Sequence, residues 1–259
     1  MRLHLFEFED LPWFPNIIRE GMVDYLRFVL GKINFYEPIT SLLIRGLEKS
    51  GQNKILDLCS GGGGAILQVH KNLSDITDEC IEITLSDKFP NVASFQHIRE
   101  VSNQKIDFID QSIDATNVPE SMGGMRTMFT AFHHFNPDQA KKVLTSATDR
   151  GWTIAIFDGG DKNILSMLGI LVFHPIIFLL GTPFFRPFRI SRLLFTYIIP
   201  LIPICTIWDG LVSILRLYEP NDLRKLVKEI DSATYHWEIG KAKHRLGFRL
   251  LYLLGYQRA

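Results

Sequence analysis

Ser60 and four consecutive glycines, Gly61 to Gly64, stand between a short apolar run closing on an acid, Ile55-Leu56-Asp57-Leu58, and the helix-forming residues 65–69. Four glycines in a row lose too much backbone entropy to lie inside a helix or a strand, so the chain turns there. A strand leading through such a turn into a helix is the opening of a βαβ unit. Without Cβ atoms the backbone can come close to a nucleotide or amino-acid moiety, and the helix N-terminus offers unpaired N–H groups. The glycines alone also fit a plain flexible turn.

The rest of the pattern repeats this alternation. Residues 54–58, 81–87, 106–109, 126–131 and 152–157 read as short buried strands with helices between them, the clearest from Asn136-Pro137 to Arg150-Gly151. Ahead of them, residues 16–30 place Ile18, Met22, Tyr25 and Val29 on one stripe and stop at Gly31, and residues 38–50 form a helix closed by Gly51. Residues 220–230 are amphipathic, and residues 233–239 and 248–256 read as two strands joined by a Gly- and Lys-rich turn. The fold expected is α/β: a Rossmann-like, doubly wound, mostly parallel sheet. Its expected parts are an N-terminal helical lid (1–37), a nucleotide-binding core (38–160), an apolar cap or membrane-associating insert (161–215), and a terminal helix and strand pair (216–259).

With 259 residues, 46% of them apolar, the chain suits one globular domain carrying a modest insertion, and 28 basic against 28 acidic residues leave no chain-wide field for nucleic acid. Cys59, Cys80 and Cys205 form no CxxC pair and are odd in number, which fits a reducing, cytoplasmic setting. The first ten residues reach Glu7, Glu9 and Asp10 too early for a secretory signal. His133 and His134 are adjacent rather than four apart, and no Cys/His cluster has ligand spacing, so no metal site is expected. The glycine loop places Ile66 where GxGxxG needs its third glycine, and it lacks the Gly-Lys-Ser/Thr ending of a P-loop.

Charge is distributed unevenly. Residues 163–215 hold only Arg186, Arg189, Arg192 and Asp209. Three arrangements suit such a stretch: a hairpin that spans a bilayer, a dry cap over the active site, or a helical cap whose outer face lies in a bilayer. The third is preferred, with residues 163–208 touching the membrane and the three arginines, recurring every third residue, at the level of lipid phosphates. The protein is then peripheral on the membrane, and its substrate apolar.

Two acids complete the glycine loop. Asp87 closes the second strand, where a carboxylate can accept both hydroxyls of a ribose, and Asp114-Ala115 follows the third, where the acid can accept from an adenine amino group; either acid alone is also an ordinary turn residue. The succession Asp57-Leu58-Cys59-Ser60-Gly61-Gly62-Gly63, Asp87, Asp114-Ala115 and Phe129-Thr130-Ala131-Phe132-His133-His134-Phe135 resembles the motif series of class I S-adenosylmethionine-dependent methyltransferases. It is similar to the branch holding ubiquinone/menaquinone-type and other small-molecule enzymes, and covers about residues 38–158. The resemblance implies S-adenosylmethionine as cofactor. Asp57, Cys59, Gly61 and Gly63 would cradle its methionine part, Asp87 its ribose, and Asp114 with Ala115 its adenine. Cys59 departs from the family, which has glycine there. A further similarity is to bacterial methyltransferases of unassigned substrate that combine a Pro-Trp-Phe-Pro opening (Pro12 to Pro15) with Trp208-Asp209-Gly210 and Arg216-Leu217-Tyr218.

Methyl transfer needs an aligned acceptor and, where the acceptor is protonated, a base. His133 and His134 leave the fourth strand at the edge where an acceptor would sit. As neighbours on a strand they should point opposite ways, and His133 is preferred; hydrogen bonding to backbone is the alternative for both. Asp209 needs a partner such as Arg216 or a polar substrate group, with a purely structural ion pair as the other reading. Tyr218 completes that group. Trp13, Phe14 and Tyr25 suit an aromatic lid over the acceptor, or plain core. The reaction expected is methylation of a lipophilic small molecule at oxygen or carbon. A soluble enzyme for an aromatic natural product and a catalytically inactive membrane-bound scaffold are the alternatives.

Overall fold

The computed structural model describes residues 2–230 and 234–258. Seven strands, β1 (Lys54–Asp57), β2 (Glu82–Asp87), β3 (Ile106–Ser112), β4 (Met125–Phe129), β5 (Ile154–Gly159), β6 (Tyr235–Lys243) and β7 (Arg249–Gln257), form one sheet in the order β3-β2-β1-β4-β5-β7-β6. The first five are parallel, and β7 runs antiparallel to both β5 and β6. The sheet is therefore mostly parallel, as expected. The expected Gly- and Lys-rich turn differs: Gly240, Lys241 and Lys243 belong to β6, and the reversal falls at residues 244–248, where Gly247 is left-handed (φ 96°). Ala233, expected to open that strand, lies outside the described residues.

Parallel strands need crossovers, and helices supply them. The helices α1 (Asn16–Lys32), α2 (Thr40–Ser50), α3 (Ile66–Ser74), α4 (Val92–Val101), α5 (Pro137–Thr148), α6 (Ile164–Gly181), α7 (Ile190–Leu193), α8 (Leu201–Arg216) and α9 (Pro220–Glu229) follow in chain order. One sheet face packs on α2, α3 and α4 through Leu43, Leu47, Val69, Leu73, Phe95 and Ile98, and the other on α5 and α9 through Val143, Leu144, Leu223 and Leu226. Helix α5 begins in a capping box between Asn136 and Gln139, with Pro137 in its first turn. Gly51 ends α2 in the left-handed region (φ 63°). Gly31, by contrast, is no stop: α1 runs through it to Lys32. Because strand order reverses between β1 and β4, a crevice opens at the carboxyl edge between them.

The insert is helical and stays on the domain. Its first helix, α6, is capped by Asn163, whose side chain accepts the Ser166 N–H at 2.8 Å, and it continues through Pro175. At this end Lys162 donates to the Leu215 carbonyl at 2.8 Å. At the other end Phe178 and Phe185 pack with Ile18, Met22 and Tyr25 of α1 and Ile202 and Cys205 of α8. Both ends of a helix about 27 Å long are thus fastened to the rest of the chain, and Ile164–Phe184 is at the same time long and apolar enough to cross a membrane. The dry cap does not fit, because only Phe178 and Gly181 of the 18 residues in α6 are buried. The arginines also depart from expectation. Arg192 is buried against Asp24 of α1 and donates to the Phe185 carbonyl at 2.9 Å, and Arg189 pairs with Glu20. Only Arg186 has an exposed side chain. The three-residue spacing fastens the insert to α1 instead of presenting three charges outward.

Candidate active site

At the carboxyl end of β1 the chain enters the left-handed region at Cys59 (φ 57°), Gly61 (φ 55°), Gly63 (φ 82°) and Gly64 (φ 43°). Left-handed backbone costs a non-glycine residue about 1–2 kcal/mol, which accounts for glycine being usual where this chain has Cys59. Burial pushes the Cys59 thiol well above its ordinary value. The two sides of the loop differ. A methyl group on Gly62 would lie 2.2 Å from Val23 Cγ1 of α1, and one on Gly63 would lie 2.0 Å from Ile98 Cδ1 of α4. At Gly61 nothing comes nearer than 3.8 Å, and at Gly64 nothing lies within 4 Å. The backbone is therefore packed behind and open in front. Helix α1 lies against the loop, and Arg27 Nη1 donates to the Gly62 carbonyl at 2.8 Å.

Asp57 sits beneath this loop and not in the crevice. Its two oxygens accept the hydroxyls of Ser60 (2.6 Å) and Thr127 (2.8 Å), and burial with no cation alongside raises its carboxyl to about 7. These bonds tie Asp57 to the turn and to β4. Asp87 takes the Gly61 N–H on Oδ2 and the Phe89 N–H on Oδ1, each at 2.8 Å, which leaves each oxygen a lone pair for a ribose hydroxyl. Asp114 is committed more heavily. Oδ1 accepts both the hydroxyl and the N–H of Thr116, Oδ2 meets Lys88 at 3.0 Å, and these contacts hold the carboxyl down at about 2. One lone pair on Oδ2 remains for an adenine amino group, beside buried Ala115.

His133 and His134 do not point opposite ways. They lie on a 3₁₀ turn (Phe132–His134) with ring centroids 4.3 Å apart. His133 is buried, with Nδ1 2.8 Å from Oδ1 of the buried Asp158, which stands next to last in β5. Beside it, Tyr36 Oη and Thr130 Oγ1 are 2.5 Å apart. Thr130 is left-handed (φ 51°), a strain of about 1–3 kcal/mol for a β-branched residue. Its N–H bonds the Phe157 carbonyl at 2.7 Å. His134 is spoken for. Burial would lower its pKa, but Glu7 (2.9 Å), Asp10 (3.0 Å) and Glu9 (3.4 Å) hold it well above the ordinary value, and both of its ring nitrogens face these acids.

Those carboxylates come from an N-terminal strap, residues 2–15, which covers the two histidines. Arg216 Nη1 lies 2.7 Å from Glu7 Oε2 and 2.7 Å from Asp10 Oδ2, and Asp209 accepts the N–H groups of Phe8 (2.8 Å) and Glu9 (3.1 Å). Burial raises Asp209 to about 6 despite those bonds. Tyr218 lies under Arg2, whose guanidinium is 4.1 Å from its ring centre, and donates to the Phe135 carbonyl at 2.9 Å. Asp209 and Arg216 therefore do not pair with each other; with Tyr218 they anchor the strap. Of the expected aromatic lid, Phe14 and Tyr25 are core between α1 and the insert, whereas Trp13 is 71% exposed. Glu7, His133 and His134 do bring ligand atoms within 4.8 Å of one another, a clustering invisible in linear spacing. Arg216, on the same Glu7 carboxylate, already supplies the positive charge a metal ion would bring.

No protein-family model matches the chain, and no curated protein does. Among solved structures, a protein of Nostoc punctiforme PCC 73102 described as a candidate O-methyltransferase superposes over 95% of this chain and 62% of its own, with 13% identity and a TM-score of 0.50. The chain has the class I methyltransferase fold. Weaker likenesses are to the methyltransferase domain of bacterial CtHen1 (11% identity, 85% of this chain and 98% of that one, TM-score 0.49) and to magnesium protoporphyrin IX methyltransferase of Synechocystis PCC 6803 with bound S-adenosylhomocysteine (14%, 92% and 98%, 0.46). The glycine loop and Asp87 lie at the carboxyl ends of β1 and β2, and Thr130, His133 and Asp158 at those of β4 and β5, with Tyr36 beside Thr130.

Of the residues not singled out from sequence, Asp158 carried a legible signal, an acid closing an apolar strand as Asp57 and Asp87 do. Glu7 and Asp10 were visible only as charges. Thr130, Tyr36, Val23 and Arg27 had none, because their roles arise from backbone angle and tertiary contact.

Proposed function

We propose that this protein transfers a methyl group from S-adenosylmethionine to an oxygen or carbon of a lipophilic small molecule at a membrane surface. The observation that carries the first half is the loop whose backbone is open at Gly61 and Gly64 beside an Asp87 carboxylate with acceptor capacity to spare. The cofactor fits there: Gly61 to Gly64 would take its amino-acid end, Asp87 its ribose, and Asp114 with Ala115 its adenine. When bound it supplies an electrophilic sulfonium methyl group. The chain's own task is alignment and proton removal. Asp158 fixes His133 by accepting from Nδ1, which leaves Nε2 as the nitrogen that takes the acceptor's proton. Helix α1 packs behind the loop through Val23 and Arg27 and holds its backbone in place.

The second half is supported by α6. It is apolar on all sides, has no Lys, Arg, Asp or Glu, and leaves Leu165 75% and Leu180 67% exposed on a domain to which both its ends are tied. Such a surface suits lipid hydrocarbon, with the helix lying in the plane of the interface. The test is transfer of labelled methyl into the organic phase of membrane extracts incubated with the protein and labelled donor. Label in that phase is the expected result; none with any extract, for a protein that binds the donor, favours the inactive scaffold. Vesicle flotation of the wild type against L165S/L179S tests the surface, and equal partition of the two to the soluble fraction contradicts it.

A further inference from the structure

We propose that the outer side of the N-terminal strap is a second lipid-contacting surface, continuous with the insert, and that it places hydrocarbon directly above the His133 turn; this rests on the membrane reading above. The start of the strap, residues 2–7, buries Glu7 and exposes apolar side chains, whereas further along Phe8, Leu11 and Phe14 pack with α1 and the insert. Arg2 donates to the carbonyls of His133 and Phe135 at 2.7 Å and Glu7 is fully buried against Arg216 and His134, while His4 lies against the Arg216 guanidinium and is itself exposed. The apolar side chains between them face outward, with Leu3 43%, Leu5 44% and Phe6 51% exposed, followed by Trp13 and Ile17. In water the opposite arrangement is the stable one. The strap's acids each pair with Arg216, His134 or both, Asp10 while remaining exposed.

Three observations identify the occupant as acyl chains. The Phe6 ring lies 5.3 Å from that of Trp208, and the Trp208 indole donates to the Phe6 carbonyl at 3.1 Å, so the strap adjoins α8. Trp208 shares a helical stripe with Ile204 and Leu201, both exposed, which carries the surface on toward α6, the helix packed along α8. The exposed tryptophans Trp13 and Trp208 are amphipathic rings of the kind that sit at a membrane boundary.

The test uses the full chain with Trp13 as its only tryptophan, W152F/W208F/W237F, mixed with phosphatidylcholine/phosphatidylglycerol vesicles carrying brominated acyl chains. The expected result is a blue-shifted Trp13 emission that the brominated chains quench, together with vesicle partition about tenfold weaker or more for L3S/L5S/F6S at an unchanged melting temperature. Flotation with Trp13 unquenched, and the triple variant floating like the wild type, overturns the strap surface while the membrane reading stands. A wild type that does not float removes both. A dimer in vesicle-free solution that L3S/L5S/F6S dissociates assigns the surface to a second copy of this chain and also overturns the inference.

Discussion

Gly62→Ala is the sharpest probe of how the lid meets the loop. Gly62 is not in the left-handed region, so alanine carries no backbone penalty there. Its methyl group would, however, lie 2.2 Å from Val23 Cγ1 and 3.1 Å from Val23 Cβ. Valine is stiff at χ1, and α1 is held from the other side by Phe178, Phe185 and Ile202, so neither partner yields easily. Overpacking of this kind costs about 1–3 kcal/mol, which in a chain of this size lowers the melting temperature by about 2 to 12 °C. Thermal unfolding followed by circular dichroism reads the loss, and limited proteolysis reads the loosening of α1. Val23→Ala removes the methyl groups that clash. G62A/V23A should therefore recover stability relative to G62A, with a coupling of about 1 kcal/mol or more. An unchanged melting temperature in G62A, or a double mutant no better than the sum of the singles, refutes the contact and with it the lid.

Three further outcomes follow from the same geometry. Because burial raises Asp57 to about 7 from an unfolded value near 3.8, its contribution to stability is fully present below about pH 4 and is lost as pH rises toward 7. The melting temperature of D57N minus that of the wild type should therefore climb between pH 4.5 and 7.5, and a flat difference contradicts the assignment. Arg216→Met leaves the buried Glu7 carboxylate with His134 alone and should cost about 3 kcal/mol in urea unfolding, most of it recovered in E7Q/R216M; independent, additive losses would show that the pair does not hold the strap. His133→Ala and Asp158→Asn should each lower methyl transfer by about 100-fold or more with cofactor binding intact, and full activity in both would show that the acceptor needs no base.

The sheet was readable in advance because buried parallel strands are short continuous apolar runs and the turn residues between them are distinctive, as at Gly61 to Gly64 and Asn136-Pro137. Element ends were less so. Gly31 has the look of a helix stop, and α1 ends one residue beyond it, at Lys32. At the glycine loop the position of Asp87 was legible, since it closes a strand, whereas the bonds from Asp57 to Ser60 and Thr127 were not, since sequence cannot say which face of a turn a carboxylate takes. The acceptor side was mostly hidden. Asp209, Arg216 and Tyr218 stand close together in the chain and invite a shared pocket, yet the segment they grip begins some 200 residues earlier, and charge pairing across that distance leaves no local pattern. For the same reason the arginines at 186, 189 and 192 suggested lipid phosphate, when two of them answer Glu20 and Asp24.

The account turns on whether the crevice beside Gly61 and Asp87 takes a sulfonium nucleoside. Isothermal calorimetry of the purified chain with S-adenosylhomocysteine measures this directly, with D87A as the control. The expected result is saturable binding at one site per chain, weakened about tenfold or more in D87A with its melting temperature unchanged. No heat from the wild type, or equal affinity in both proteins, would contradict the assignment.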